Sequence, residues 1–143
     1  MEILDSKGMY TILIDKKNRI VYEKNVGVWT NEDLNRFLDD YKNIVFNELG
    51  NDKPWAKLCN LSNYEVSSIY NDLIEFLKTS IDNGFSDCAI ISNDSLVNSQ
   101  MHEVCKQIGL NHSFFGGIDA FDDAIDWLQS NGYKLKNNAL CQA

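Results

Sequence analysis

Cys88-Ala-Ile-Ile-Ser92, Asn93-Asp-Ser95, His112-Ser-Phe-Phe-Gly-Gly117 and Phe121-Asp-Asp-Ala-Ile-Asp-Trp-Leu128 follow one another within Ser86–Leu128. The first segment is apolar at both alternate positions, as in a strand buried on both faces at the centre of a helix-covered sheet. Asn93, Asp94 or Ser95 then offers a side-chain oxygen to the free N–H groups of a helix start. Val97, Met101, Val104, Cys105 and Ile108 recur at helical spacing, and Gly109 supplies the stop. A short strand over His112–Phe115 and a helix opened by Asp119, with Phe121, Ala124, Ile125 and Leu128 on one face, complete the stretch. Strands separated by helical crossovers run parallel, so this is one α/β unit.

The preceding half extends the same plan. Tyr10–Asp15 and Arg19–Glu23 are β-branched and aromatic runs around a polar turn, which predicts an antiparallel hairpin. Asn25–Trp29 reads as a third short strand or an extension. Thr30 caps a helix whose apolar face is Leu34, Phe37, Leu38, Tyr41, Ile44 and Val45, ended by Gly50 and Pro54. Trp55–Leu61 reads as a strand. A second helix is expected from about Val66 to Ile81, with Asn83-Gly84 as its stop. The predicted class is therefore α/β. It is a single domain, with a mixed sheet of four to five strands, an N-terminal antiparallel hairpin and helices packed on it. The domain is expected over residues 1–132, followed by a polar, frayed tail over 133–143.

Bulk properties narrow the function. The chain has 143 residues, is 44% hydrophobic and carries a net charge of −8. That length buries a core without disulfides or metals. The negative field repels phosphate backbones and anionic headgroups, so no nucleic-acid partner is expected. No run approaches the ~20 apolar residues of a membrane helix, so no integral membrane association is expected. The N-terminal residues lack a secretory leader pattern. Cys59, Cys88, Cys105 and Cys141 form no C-x-x-C pair and read as reduced thiols, which suits a cytoplasmic location. His102 and His112 fall on different predicted elements, so no metal site or other cofactor is expected.

The hairpin followed by Gly27-Val-Trp-Thr-Asn-Glu-Asp-Leu34, the strand ending Leu58-Cys-Asn-Leu-Ser62, the strand Cys88–Ser92, and Phe115 with Phe121–Leu128 together resemble the bacterial SpoIIAA-like (STAS-like) proteins. The likeness covers Tyr10 to Leu128. It implies kinship in fold with anti-sigma-factor antagonists and, more distantly, with lipid-binding Sec14-type domains. It implies a non-enzymatic regulatory or protein-interaction module. In the antagonists, the strand matching Leu58–Ser62 ends in an aspartate-bearing motif, and an Asp-Ser-Ser-Gly loop presents a phosphorylatable serine. Here Asn60 stands where an acidic residue is common, and Val66-Ser67-Ser68-Ile69 lacks both the Asp and the Gly.

Ser67 and Ser68 are the candidate phosphoacceptors, since a phosphate at a helix start meets free N–H groups. Serine oxygens also satisfy those groups as plain caps. No G-x-G-x-x-G or G-x-x-x-x-G-K cradle is present, and no nucleophile–base pair is visible, so no catalytic residue is assigned and the protein is read as a non-enzyme. Trp29, Phe37, Tyr41, Tyr64 and Tyr70 are the second candidate set. They are expected in the core or along an open groove between the first two helices. Such a groove would take a second copy of the chain, another regulatory protein, or an apolar or lipidic small molecule. The expected partner is the chain itself, as a homodimer, or a regulatory protein; the alternative function is a carrier of that small molecule.

Overall fold

The computed structural model describes residues 1–135. Its elements are β1 (Glu2–Leu4), β2 (Tyr10–Asp15), β3 (Ile20–Val28), α1 (Asn31–Asp40), a π-helical segment (Tyr41–Val45), α2 (Phe46–Leu49), β4 (Trp55–Glu65), α3 (Tyr70–Asp82), β5 (Phe85–Ile91), α4 (Ser95–Ile108), β6 (Asn111–Phe115) and α5 (Ala120–Ser130). The strands lie in chain order across one sheet. β1, β2 and β3 pair antiparallel, and β3 to β6 pair parallel.

The sheet has six strands rather than four to five. The added one is β1, whose three residues are too few to show a period; its backbone pairs Ile3 with Ile12. The expected third segment, Asn25–Trp29, continues β3, with a register shift against β4 between Lys24 and Val26. β4 runs past Leu61 to Glu65, and α3 consequently starts at Tyr70 rather than Val66. Ser67 does not cap that helix. Its hydroxyl pairs with the Tyr64 hydroxyl at 3.1 Å, and Ile69 is the N-cap residue without a side-chain bond.

Other local signals act as the residues dictate. Thr30 and Asp33 form a capping box on α1. Asp94 accepts from the amides of Leu96 and Val97 at 2.9 and 3.3 Å. Asp119 occupies its N-cap position without a side-chain bond. The hairpin turn places Arg19 at φ 60°, the one non-glycine at positive φ among the described residues. Its guanidinium donates to the carbonyls of Leu49, Lys53 and Pro54 at 2.8, 2.6 and 3.0 Å. These bonds hold the loop that delivers the chain into β4 and offset the backbone strain of ~1–2 kcal/mol.

Two cores flank the sheet. One face carries Val21 of β3, Trp55 and Cys59 of β4, and Cys88 and Ile90 of β5, covered by α1–α2, α3 and α4. The other carries Ile20, Tyr22, Ala56, Leu58, Ala89 and Ile91, covered by α5. Period-two alternation of the strands produces this division. Tyr133 and Leu135 are buried in the second core, and the Tyr133 hydroxyl donates to Asp87 at 2.7 Å. The packed body therefore reaches Leu135; the remainder of the expected tail lies outside the described residues.

Arg36 of α1 ties this helix to the β1–β2 connection. It donates to both oxygens of Asp5 at 2.8 and 3.0 Å and to Asp33 at 2.7 Å. The Arg36 hydrogen bonds pull the Asp5 carboxyl down to about 2 from an ordinary value of 3.8. A depressed carboxyl stabilises the fold fully above its unfolded value, and that stabilisation is lost as pH falls toward the folded one. Arg36→Met is expected to cost about 1–2 kcal/mol at pH 7 and much less at pH 2. Urea unfolding at the two pH values checks this; an equal cost at both would count against the pairing.

Candidate functional site

The first core is not wholly apolar. On β3 the alternation that puts Val21 inward also puts Glu23 and Asn25 inward, and on β4 it puts Lys57 between Trp55 and Cys59. Lys57 and Glu23 are 2% and 3% exposed at the side chain, with Nζ 3.0 Å from Glu23 Oε2. The same carboxylate accepts from the Tyr41 hydroxyl, from Asn25 Nδ2 at 3.3 Å and from Cys59 Sγ at 3.5 Å. The Lys57 ammonium otherwise faces aromatic rings: Tyr41, Phe76 and Phe85 have centroids 4.4, 4.7 and 4.9 Å away. Cation–π attraction thus supplements one ion pair in the buried interior. Tyr41 opens the π-helical segment, a widened turn of a kind often found at functional positions.

Beside this cluster lies a partly open cavity of about 50 Å³, between the sheet and α3 and α4. Its wall is mostly apolar, with Glu23, Asn25 and Lys57 at one side and Cys59, Cys88 and Cys105 along the sheet and α4. Cys59 and Cys88 stand 3.8 Å apart, sulfur to sulfur. The bond with Cys88 and burial both push the Cys59 thiol up, and burial pushes Cys105 up. Burial, reinforced by Glu23, raises the Tyr41 hydroxyl. Cys59, Cys105 and Tyr41 therefore stay protonated at neutral pH, and a protonated thiol is a poor nucleophile. Asn25 Oδ1 is buried with no hydrogen-bond partner among the described residues and belongs to a residue lining the cavity. It is an acceptor available to a donor placed there. Cys141 lies outside the described residues.

A groove of about 380 Å³ does open between the first two helices, but its lining is mixed polar and apolar and includes none of the expected aromatic set. Trp29, Phe37, Tyr41 and Tyr64 are buried beneath these helices. Phe37 meets Phe76 of α3 and Trp29 edge-on at 5.3 and 5.1 Å and lies tilted against Tyr41 at 4.9 Å. Trp29, Phe37 and Tyr64 instead contribute to the wall of the cavity beside the Lys57–Glu23 pair. Tyr70 is half-buried, and its hydroxyl donates to Gln107 of α4 at 3.2 Å.

The serines part company. Ser67 is 8% exposed and bonded to Tyr64, whereas Ser68 is exposed. Asn60, at the position of the missing acid, accepts from the Ser62 amide at 3.0 Å in a local turn. His102 and His112, separated in the sequence reading, come together with Nδ1 and Nε2 3.1 Å apart.

The segments leaving the C-terminal ends of the parallel strands also converge. The Gly117 amide donates to Asn93 Oδ1 at 2.9 Å, and Gln100 Nε2 donates to the Ser67 carbonyl at 3.1 Å. A Cβ on Gly116 would fall 2.4 Å from Asn93 Oδ1 and 3.3 Å from the Ser92 carbonyl, so any side chain there would displace the Asn93 amide from its present place. Val28, Val66, Leu96 and Ile118, one at or after the end of each parallel strand, are 54%, 40%, 69% and 100% exposed.

No protein-family model matches the chain, and no curated protein matches it in sequence. Among solved structures it is similar to an uncharacterized protein from the DUF3478 family with a SpoIIAA-like fold, from Shewanella loihica PV-4. The TM-score is 0.58 at 21% identity, over 82% of this chain and 90% of that one. The chain thus has a SpoIIAA-like fold, and the likeness is one of fold. No helix among the described residues is long and apolar enough to cross a membrane.

Proposed function

We propose that this protein is a non-enzymatic regulatory module that binds a protein partner through the loop end of its sheet. The carrying observation is the set of four exposed apolar side chains, Val28, Val66, Leu96 and Ile118, at the ends of four adjacent parallel strands. Open α/β sheets offer ligands this end, and exposed apolar side chains gathered at one end of a sheet favour protein contact. The partner is a second copy of the chain or another regulatory protein. Ser68, exposed in the same region and two residues ahead of the uncapped α3, is the point at which a phosphate would change that surface.

Leu96→Asp/Ile118→Asp is expected to leave the unfolding midpoint unchanged, since neither side chain is buried. Light scattering is expected to give a dimer, or a complex with a protein retained from its own cells, for the wild type and a free chain for the variant. A wild type that is monomeric and retains no partner overturns the reading. In the same preparations, intact mass is expected to show a phosphate on the wild type that Ser68→Ala loses.

The carrier reading is favoured by one observation, the unpartnered Asn25 Oδ1 at the cavity wall. The volume of about 50 Å³ is a third of the ~150 Å³ that holds a benzene molecule. A lipid chain would therefore need the cavity to widen. Native mass spectrometry of the fresh protein is expected to give the bare chain mass; a co-purifying lipid would favour the carrier.

A further inference from the structure

The geometry points to a binding site for a divalent transition-metal ion, formed by His102 of α4 and His112 of the edge strand β6. Nδ1 of His102 stands 3.1 Å from Nε2 of His112. With metal–imidazole bonds of about 2.0–2.1 Å, that separation corresponds to an N–metal–N angle of roughly 100°. The value falls between octahedral and tetrahedral geometry, so one ion can take both nitrogens after a modest turn of the rings. His102 is exposed and His112 half-buried, which leaves the outward side of the pair open to solvent.

The second ring is already set for ligation. His112 Nδ1 lies 2.8 Å from the Leu110 carbonyl oxygen. A carbonyl only accepts, so Nδ1 carries the proton and Nε2 keeps its lone pair. Holding a histidine by its other nitrogen is how metal-ligating rings are oriented. Phe114 stands edge-on to the same ring, 5.6 Å away at 87°, and limits its swing. Without metal, His102 Nδ1–H donates to His112 Nε2. When an ion enters, that proton leaves Nδ1 and His102 takes one from solvent at its exposed Nε2. No net proton is released, and both lone pairs face the ion.

Imidazole pairs suit copper, nickel and zinc, whereas magnesium and calcium seek oxygen ligands. Among the described residues no third His, Cys, Asp or Glu completes a metal-binding group, so solvent fills the remaining positions. The net charge of −8 raises the local concentration of cations. An ion held this way would brace α4 against β6, at the edge of the sheet. The site is independent of the partner surface proposed above, which involves neither histidine.

The test uses Ni(II) alone on the full, untagged chain with reduced thiols, in a Cys141→Ser background to exclude the tail thiol. Titration calorimetry is expected to find one Ni(II) per chain. His102→Ala and His112→Ala are each expected to weaken binding by roughly tenfold or more, and the double variant little further, because either loss destroys the chelate. Paramagnetic broadening by Ni(II) in amide NMR spectra is expected to centre on residues near 102 and 112. Circular dichroism confirms that the surface variants stay folded; His102→Gln provides a second folded variant without the ring. No binding up to millimolar Ni(II), single variants that bind like the wild type, or broadening centred elsewhere would each leave only a hydrogen-bonded histidine pair and overturn the site.

Discussion

Lys57→Met is expected to destabilise the protein by about 3–5 kcal/mol, whereas Glu23→Gln/Lys57→Met is expected to be nearly neutral or more stable than the wild type. The two side chains are almost wholly buried, with Nζ 3.0 Å from the carboxylate. Removing the ammonium leaves a carboxylate in the core with only neutral donors, those of Tyr41, Asn25 and Cys59. Methionine replaces the stem of Lys57 against Tyr41, Phe76 and Phe85, so the loss reports charge rather than volume. Removing both charges removes the desolvation cost together with the attraction. The midpoint of Lys57→Met is expected to fall by roughly 10–15 °C for a chain of this size. Urea unfolding of the wild type, both single variants and the double variant completes the cycle. A single-variant cost below about 1 kcal/mol, or strict additivity, would mean that the pair is solvated and contributes little.

The sheet and its crossovers were legible because burial imposes period two on strands and near-period four on helices. Cys88–Ile91 announced a central strand, and Thr30, Asp94 and Gly109 marked helix ends by the groups they satisfy. β1 was not legible, since three residues cannot show alternation and its pairing to β2 is a tertiary fact. Ser67 misled the reading of α3 because its hydroxyl answers to Tyr64 rather than to the helix. The buried ion pair did leave a trace. Val21, Glu23 and Asn25 share one strand face, as do Trp55, Lys57 and Cys59. Opposite charges on the apolar faces of two strands signal a buried pair once those strands are known to be neighbours. The histidine pair left no such trace, because the two rings meet only through the tertiary packing of α4 beside β6. Of the aromatic set, Trp29, Phe37, Tyr41 and Tyr64 pack in the core, where Phe37 meets Phe76, while the groove between α1 and α3 takes its lining from other residues.

Gly84→Ala is expected to cost about 2–4 kcal/mol in the wild type and only about 1–2 kcal/mol in a Trp55→Ala background. Gly84 sits at φ +100°, where a Cβ is strained in any surroundings. That Cβ would also stand 3.1 Å from Cδ1 and Nε1 of Trp55 and 3.3 Å from the Lys53 carbonyl. The indole cannot retreat. It is fully buried, stacks on Phe85 at 5.0 Å, and donates from Nε1 to the Asn83 carbonyl at 2.8 Å. Trp55→Ala alone is expected to lose about 3–5 kcal/mol, the range for truncating a buried aromatic ring. With the ring gone its crowding disappears and the backbone strain and the Lys53 carbonyl contact remain, so the two substitutions should couple by about 1–2 kcal/mol. Denaturant unfolding of all four proteins measures that coupling. Additivity within about 0.5 kcal/mol would show that Gly84 is required by its backbone angle alone and that the α3–β5 turn does not hold Trp55 in place. Coupling of the expected size would instead mean that this turn fixes the ring at the start of β4, two residues before Lys57 on the same face of the strand.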